Sequence, residues 1–152
     1  MKPRLDAYQT APEAMKPLIA LDTYVHKSGL EPSLLELIKI RASQVNGCAY
    51  CVHMHTRDAR AKGETEERIY LLSAWRESPL YTDRERAALA WTEALTLVAE
   101  SHAPDEVYEE VRRHFAGDEL VKLTLAIGTI NLWNRIGIGF RYVHPVRKPE
   151  TA

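Results

Sequence analysis

Cys48, Cys51 and His55 lie three and four residues apart in the stretch Asn46-Gly-Cys-Ala-Tyr-Cys-Val-His-Met-His55. At that spacing three side chains project from one face of a helix. Asn46-Gly47 is a helix stop, so Cys48 falls in the first turn of the helix that follows. The unpaired amides of a first turn carry partial positive charge and favour a thiolate over a thiol. An imidazole one turn beyond Cys51 is placed to take up the released proton. The same short reach lets Cys48 close a disulfide with Cys51, and the stretch therefore has the geometry of a redox dithiol.

Other chemistries compete for these residues. Cys48, Cys51 and His55, or His53, supply three ligands of a zinc site, but the chain has no third cysteine. The fourth ligand would have to come from His26, His102, His114, His144 or a carboxylate. Both cysteines could instead be inert core residues, although a Cys-x-x-Cys pair at a helix start is an unusual way to bury two of them. A thioredoxin-like module needs a βαβ context, and the flanks here are helical on both sides. His53 points away from His55 by roughly 200° on an ideal helix, towards the surface.

Glu36 stands twelve residues before Cys48 and has two readings. Ser33-Leu-Leu-Glu36 matches a capping box, in which the carboxylate only ties off a helix start. Pro32 as first helical residue would instead move Glu36 inside the helix, among Leu35, Leu37, Ile38 and Ile40. There its proton affinity would be raised and it could relay protons.

The elements that must position these groups read as helices throughout. Pro12 to about Ser28 carries Met15, Leu18, Ile19 and Val25 at helical spacing before Gly29. Pro32 opens the next helix, which Asn46-Gly47 ends, and a third runs from Cys48 to Gly63. Thr65 caps a fourth reaching about Trp75, where Ser78-Pro79 breaks the chain. Thr82-Asp-Arg-Glu85 is a capping box ahead of the apolar stripe Ala88, Trp91, Leu95 and Val98. Pro104 to Ala116 gives a shorter helix stopped by Gly117, and Asp118 starts an apolar segment closed by Pro145. No alternation of period two is long enough for a strand, so the fold class is all-α, with about six or seven helices. The helix through Leu123, Ile127, Ile130, Trp133 and Ile136 is apolar nearly all round, and is expected either at the centre or covered by a neighbouring subunit.

Composition narrows the function. The 152 residues hold 20 Lys+Arg against 21 Asp+Glu, a net charge of −1, which excludes a generally basic nucleic-acid binder. With 45% hydrophobic and 27% charged residues, and no linker, the whole of 1–152 reads as a single globular domain. Leu120 to Tyr142 is interrupted by Lys122, Asn131, Asn134, Arg135 and Arg141, too polar for a membrane span. The N-terminus lacks a signal-peptide pattern, so a cytoplasmic location is expected. Asn131, Asn134 and Arg135 read as a structural or subunit contact, and Trp75, Trp91 and Trp133 as core or interface anchors. The charged runs Thr82 to Arg86 and Glu109 to Arg113 read as solvated helix faces.

Glu36, eleven residues, Cys48-x-x-Cys51, three residues and His55 together resemble the signature of the alkylhydroperoxidase D-like proteins, within the carboxymuconolactone decarboxylase-like superfamily. Ile130-Asn131-Leu-Trp133-Asn134-Arg135 resembles that family's C-terminal helix, so the likeness extends over roughly residues 30–142. The resemblance implies an all-α fold and a thiol peroxidase needing no cofactor and no metal. Cys51 would be the peroxidatic cysteine, Cys48 the proton donor and resolving thiol, and Glu36 with His55 the proton relay. Tyr50 departs from the pattern, since the best-studied branch has a second histidine between the cysteines. Decarboxylase members lack the cysteine pair. The resemblance further implies a hydroperoxide substrate, a dithiol reductant such as a lipoylated protein, and a homo-oligomer, trimer or hexamer. A non-enzymatic redox sensor or disulfide-exchange module is the alternative that the residues leave open.

Overall fold

A computed structural model describes residues 1–146, and residues 147–152 of the expected domain lie outside the described part. The described chain contains helices and no strand. In order they are α1 (Ala7–Thr10), α2 (Pro12–His26), α3 (Pro32–Asn46), α4 (Ala49–Ala61), α5 (Glu66–Leu71), α6 (Asp83–Thr96), α7 (Val98–Ser101), α8 (Asp105–His114) and α9 (Gly117–Gly139). A 3₁₀ turn, Leu72–Ala74, extends α5 towards Trp75. Seven of the nine follow the expected segments; α1 and α7 are single turns, too short to leave a periodic pattern. Gly117 does not stop α8. It is the first residue of α9, where the Glu119 carboxylate accepts from the Ala116 amide at 3.0 Å.

The most enclosed element is α3, and not the apolar C-terminal helix. Every residue from Leu34 to Ile40 is buried, and α4, α6 and α9 all pack on this helix. Its charged residues hide that role from a hydropathy count. Leu34, Leu35 and Ile38 join Val25, Trp91, Val111, Phe115, Leu123 and Ile127 in one core, while Leu37 and Ile40 join Ile69, Leu72, Trp75 and Leu89 in a second. Each such aliphatic side chain contributes about 1.5–3 kcal/mol through apolar burial. On α9, Leu123, Ala126, Ile127 and Ile130 face inward, whereas Val121, Leu125, Leu132 and Ile138 are exposed. Trp75 and Trp91 are core anchors, while Trp133 is half-buried and stacks on Tyr8.

Glu109 to Arg113 is the solvated face expected of it, whereas the run Thr82 to Arg86 proves to be a cross-brace. Arg84 joins Glu31, at the start of α3, to Glu119, at the start of α9, at 2.9 and 2.8 Å. Arg68 bridges Glu64 at 2.9 Å and Glu85 at 2.5 Å, tying α5 to α6. No described helix is long and apolar enough to cross a membrane, α9 included.

Candidate active site

Helices α3 and α4 meet at a corner of two residues. Gly47 is left-handed, with φ of 72°, and the amides of Gly47 and Cys48 bond back to the carbonyls of Gln44 and Ser43. This closes α3 as a Schellman-type turn does and makes Cys48 the N-cap of α4. The Cys48 sulfur accepts from the Cys51 backbone amide at 3.4 Å, the position a cap oxygen would ordinarily take. Cys48 and Cys51 are both buried and both free thiols. The two sulfurs lie over Gly137 of α9: a Cβ placed there would stand 3.3 Å from Cys48 Sγ and 3.7 Å from Cys51 Sγ.

The pair is electrostatically unequal. The hydrogen bond from the Cys51 thiol lowers Cys48 against the opposing effect of burial, and the Cys51 and Tyr50 amides and Asn134 assist, holding Cys48 down to about 7. Cys51 is pushed up by its hydrogen bond to Cys48, by burial and by the Cys48 charge. The first proton to leave the pair therefore leaves Cys48, as expected for a sulfur at a helix start.

Glu36 is 1% exposed and caps nothing, because Pro32 is the first residue of α3 and Glu36 sits in its second turn. It accepts from His55 Nδ1 at 3.0 Å and from Lys62 Nζ at 2.6 Å. Burial alone would raise its proton affinity, as the sequence reading expected. The hydrogen bonds from His55 and Lys62, with the His55 and Lys39 charges, outweigh burial and hold the carboxyl down to about 2. An ionised carboxylate only accepts, so the proton shared between Glu36 and His55 lies on His55 Nδ1. His55 borders a cavity of about 230 Å³ that Cys51 also lines. Cys48 opens on a second cavity of about 240 Å³, and Tyr50, Gly137 and Tyr142 form the wall common to both.

Asn131 and Asn134 build the contact expected of them. Asn46 donates to Asn131 Oδ1 at 3.0 Å and to Asn134 Oδ1 at 2.8 Å, while Asn134 donates to Ser43 Oγ at 3.0 Å. Asn131 also donates to Thr96 at 3.0 Å, and Arg135 to the Asn131 carbonyl at 2.8 Å. The network locks the end of α3 to α9, and Asn134 extends it to the sulfurs. His53 is half-buried and stacks on His144, with ring centroids 4.8 Å apart.

The zinc arrangement read from the sequence does not form. Among the described residues the group of His, Cys, Asp and Glu atoms close enough to share an ion is Glu36, His55 and Asp58, without either cysteine. Its Glu36 oxygens already face His55 and the Lys62 ammonium. Sequence reasoning missed Lys62, Lys39 and Gly137.

A helical protein presenting a buried dithiol, backed by a carboxylate–histidine pair, is the class that fold and site define. The chain belongs to the carboxymuconolactone decarboxylase family, whose profile matches residues 12–94. The uncharacterized protein YdfG of Bacillus subtilis is 48% identical over 138 residues, spanning 91% of this chain and 94% of that one. The crystal structure of ATU0492 from Agrobacterium tumefaciens, a protein of unknown function described as a candidate antioxidant defence protein AhpD, superposes with a TM-score of 0.94. It is 52% identical and covers 96% of this chain and 100% of that one. The debrominase Bmp8 shares the fold, with a TM-score of 0.77 at 18% identity over 88% of this chain and 72% of that one.

Proposed function

We propose that the chain is a thiol-dependent peroxidase that reduces hydroperoxides through Cys48 and Cys51. The supporting observation is the pair of free sulfurs set against Gly137 at the start of α4, beside a cavity bordered by a histidine whose tautomer Glu36 dictates.

His55 Nε2 takes one proton from the pair, and the imidazolium is stabilised by Glu36. That proton leaves Cys48, and the Cys51 thiol, hydrogen-bonded to the Cys48 thiolate, then passes its own proton to Cys48, so that Cys51 becomes the attacking thiolate and Cys48 the thiol. Cys51 attacks the terminal peroxide oxygen; the O–O bond breaks, Cys51 becomes a sulfenic acid, and Cys48 protonates the departing alkoxide to give the alcohol. The Cys48 thiolate then attacks the Cys51 sulfur, the S–O bond breaks, and the hydroxide takes the proton held by His55 and leaves as water. The sum is two thiols and one hydroperoxide giving a disulfide, an alcohol and water. A dithiol reductant reopens the disulfide, and the family resemblance points to a lipoylated protein.

The exposed apolar residues of α9 support a homo-oligomer as part of the same reading. The deciding experiment follows an organic hydroperoxide under dihydrolipoamide. Saturable multiple turnover by the wild type, abolished in Cys51→Ser and in Cys48→Ser, is expected. A single stoichiometric oxidation without turnover would instead identify a sensor, and Cys51→Ser turning over as fast as wild type would refute the mechanism.

A further inference from the structure

Lys39 is 2% exposed, and among the described residues no carboxylate stands within ion-pair distance of it, the Glu36 and Asp22 charges acting on it from further off. Among the described residues, buried Glu36 is answered by Lys62 and His55, and half-buried Glu93 by Arg41 at 2.7 Å. Among the described residues the hydrogen-bond partner of the Lys39 amine is His26 Nε2, at 2.9 Å. An ammonium has three donors, so two are left over in a place where unpaired polar groups are costly. Lys39 lines the cavity that holds Cys51 and His55. The wall of the same cavity also carries Tyr142, whose hydroxyl is buried without a hydrogen-bond partner among the described residues.

A lysine with donors to spare and an unpartnered hydroxyl on one cavity, contributed by different parts of the fold, point to a ligand that brings acceptors. The cavity also has apolar walls in Met54, Ile130 and Trp133, and its volume of about 230 Å³ exceeds what hydrogen peroxide would fill. A water molecule takes up roughly 30 Å³ in the liquid. Asp22 lines the cavity too, its carboxylate 3.6 Å from the His26 nitrogen that accepts from Lys39.

Resting on the peroxidase reading, we infer that the substrate is a small organic hydroperoxide with an apolar body and a carboxylate, the carboxylate held by Lys39 and the Tyr142 hydroxyl while the peroxide faces Cys51. Lys39 and Tyr142 are then specificity-determining residues. They enter the binding of the substrate and take no part in the O–O cleavage described above.

The test compares cumene hydroperoxide with its para-carboxylate. The wild type is expected to show a KM for the carboxylated compound about tenfold lower, as one charge-assisted contact supplies. Lys39→Met, an apolar replacement of similar length, removes the preference: the ratio of the two KM values falls to about one, whatever change in kcat both substrates share through loss of the Lys39 charge near Glu36. Tyr142→Phe, which deletes one oxygen, reduces the preference in the same direction. A wild type without preference, or a preference that survives Lys39→Met in a folded protein, overturns the inference. A second arm needs no turnover: calorimetric binding of the two product alcohols, 2-phenyl-2-propanol and its para-carboxylate, to Cys51→Ser. Carboxylate-selective binding lost in Cys51→Ser/Lys39→Met upholds the site even if no peroxide is consumed, and unselective binding refutes the site whatever the activity.

Discussion

Replacing Glu36 with Gln tests the electrostatic core of the site through stability, without any assumption about substrate. The carboxyl is buried on α3 and ionises near 2 in the folded chain, against 4.5 for an unperturbed glutamate. It therefore binds a proton about three hundredfold more weakly when folded, which stabilises the ionised native state by about 3 kcal/mol. Because the folded value is the lower one, this contribution is complete above the unfolded value and is lost as pH falls towards the folded one. More than half of it is gone by pH 3. Gln keeps the shape and accepts one hydrogen bond, but it does not titrate and does not answer Lys62 and His55. Urea unfolding of both proteins from pH 7 to 3 should show Glu36→Gln about 3 kcal/mol less stable at pH 7, with the gap closing by about 2 kcal/mol at pH 3. A gap that stays constant across that range would refute the assignment of Glu36 as an ionised buried partner of His55 and Lys62.

The remaining predictions concern the sulfurs and the exposed helix face. Alkylation of the reduced protein by iodoacetamide should rise through pH 7, since Cys48 is held down to about 7 and its thiolate forms above that pH. Cys48→Ser should move the rise to markedly higher pH, while Cys51→Ser should move it less. Gly137→Ala places a methyl 3.3 Å from Cys48 Sγ, closer than ordinary packing, so the sulfur must shift. Overpacking of about 1–3 kcal/mol is expected in thermal unfolding, together with a higher Cys48 ionisation midpoint as the bond from the Cys51 amide lengthens. Unchanged values of both would mean that the α9 backbone does not hold the dithiol. Leu132→Glu puts a charge on the exposed apolar face of α9 and should reduce the mass measured by light scattering while leaving the helical circular dichroism intact.

The sequence alone determined the helical class, most helix boundaries and the dithiol itself. These are local matters: Pro32, Gly47 and the Thr82–Glu85 box act within a turn of themselves, and Cys48, Cys51 and His55 share a face by spacing alone. Only the tertiary structure decided what Glu36 does. Its ionisation depends on Lys62, twenty-six residues on, and no period in the chain encodes that encounter. The same holds for Gly137, where the absent side chain of α9 makes room for two sulfurs on α4, and for α3, which is central because three other helices turn their apolar faces to it. Spacing fixes which groups share a face; burial and long-range partners fix the charge each group carries, because both depend on what the rest of the chain brings alongside.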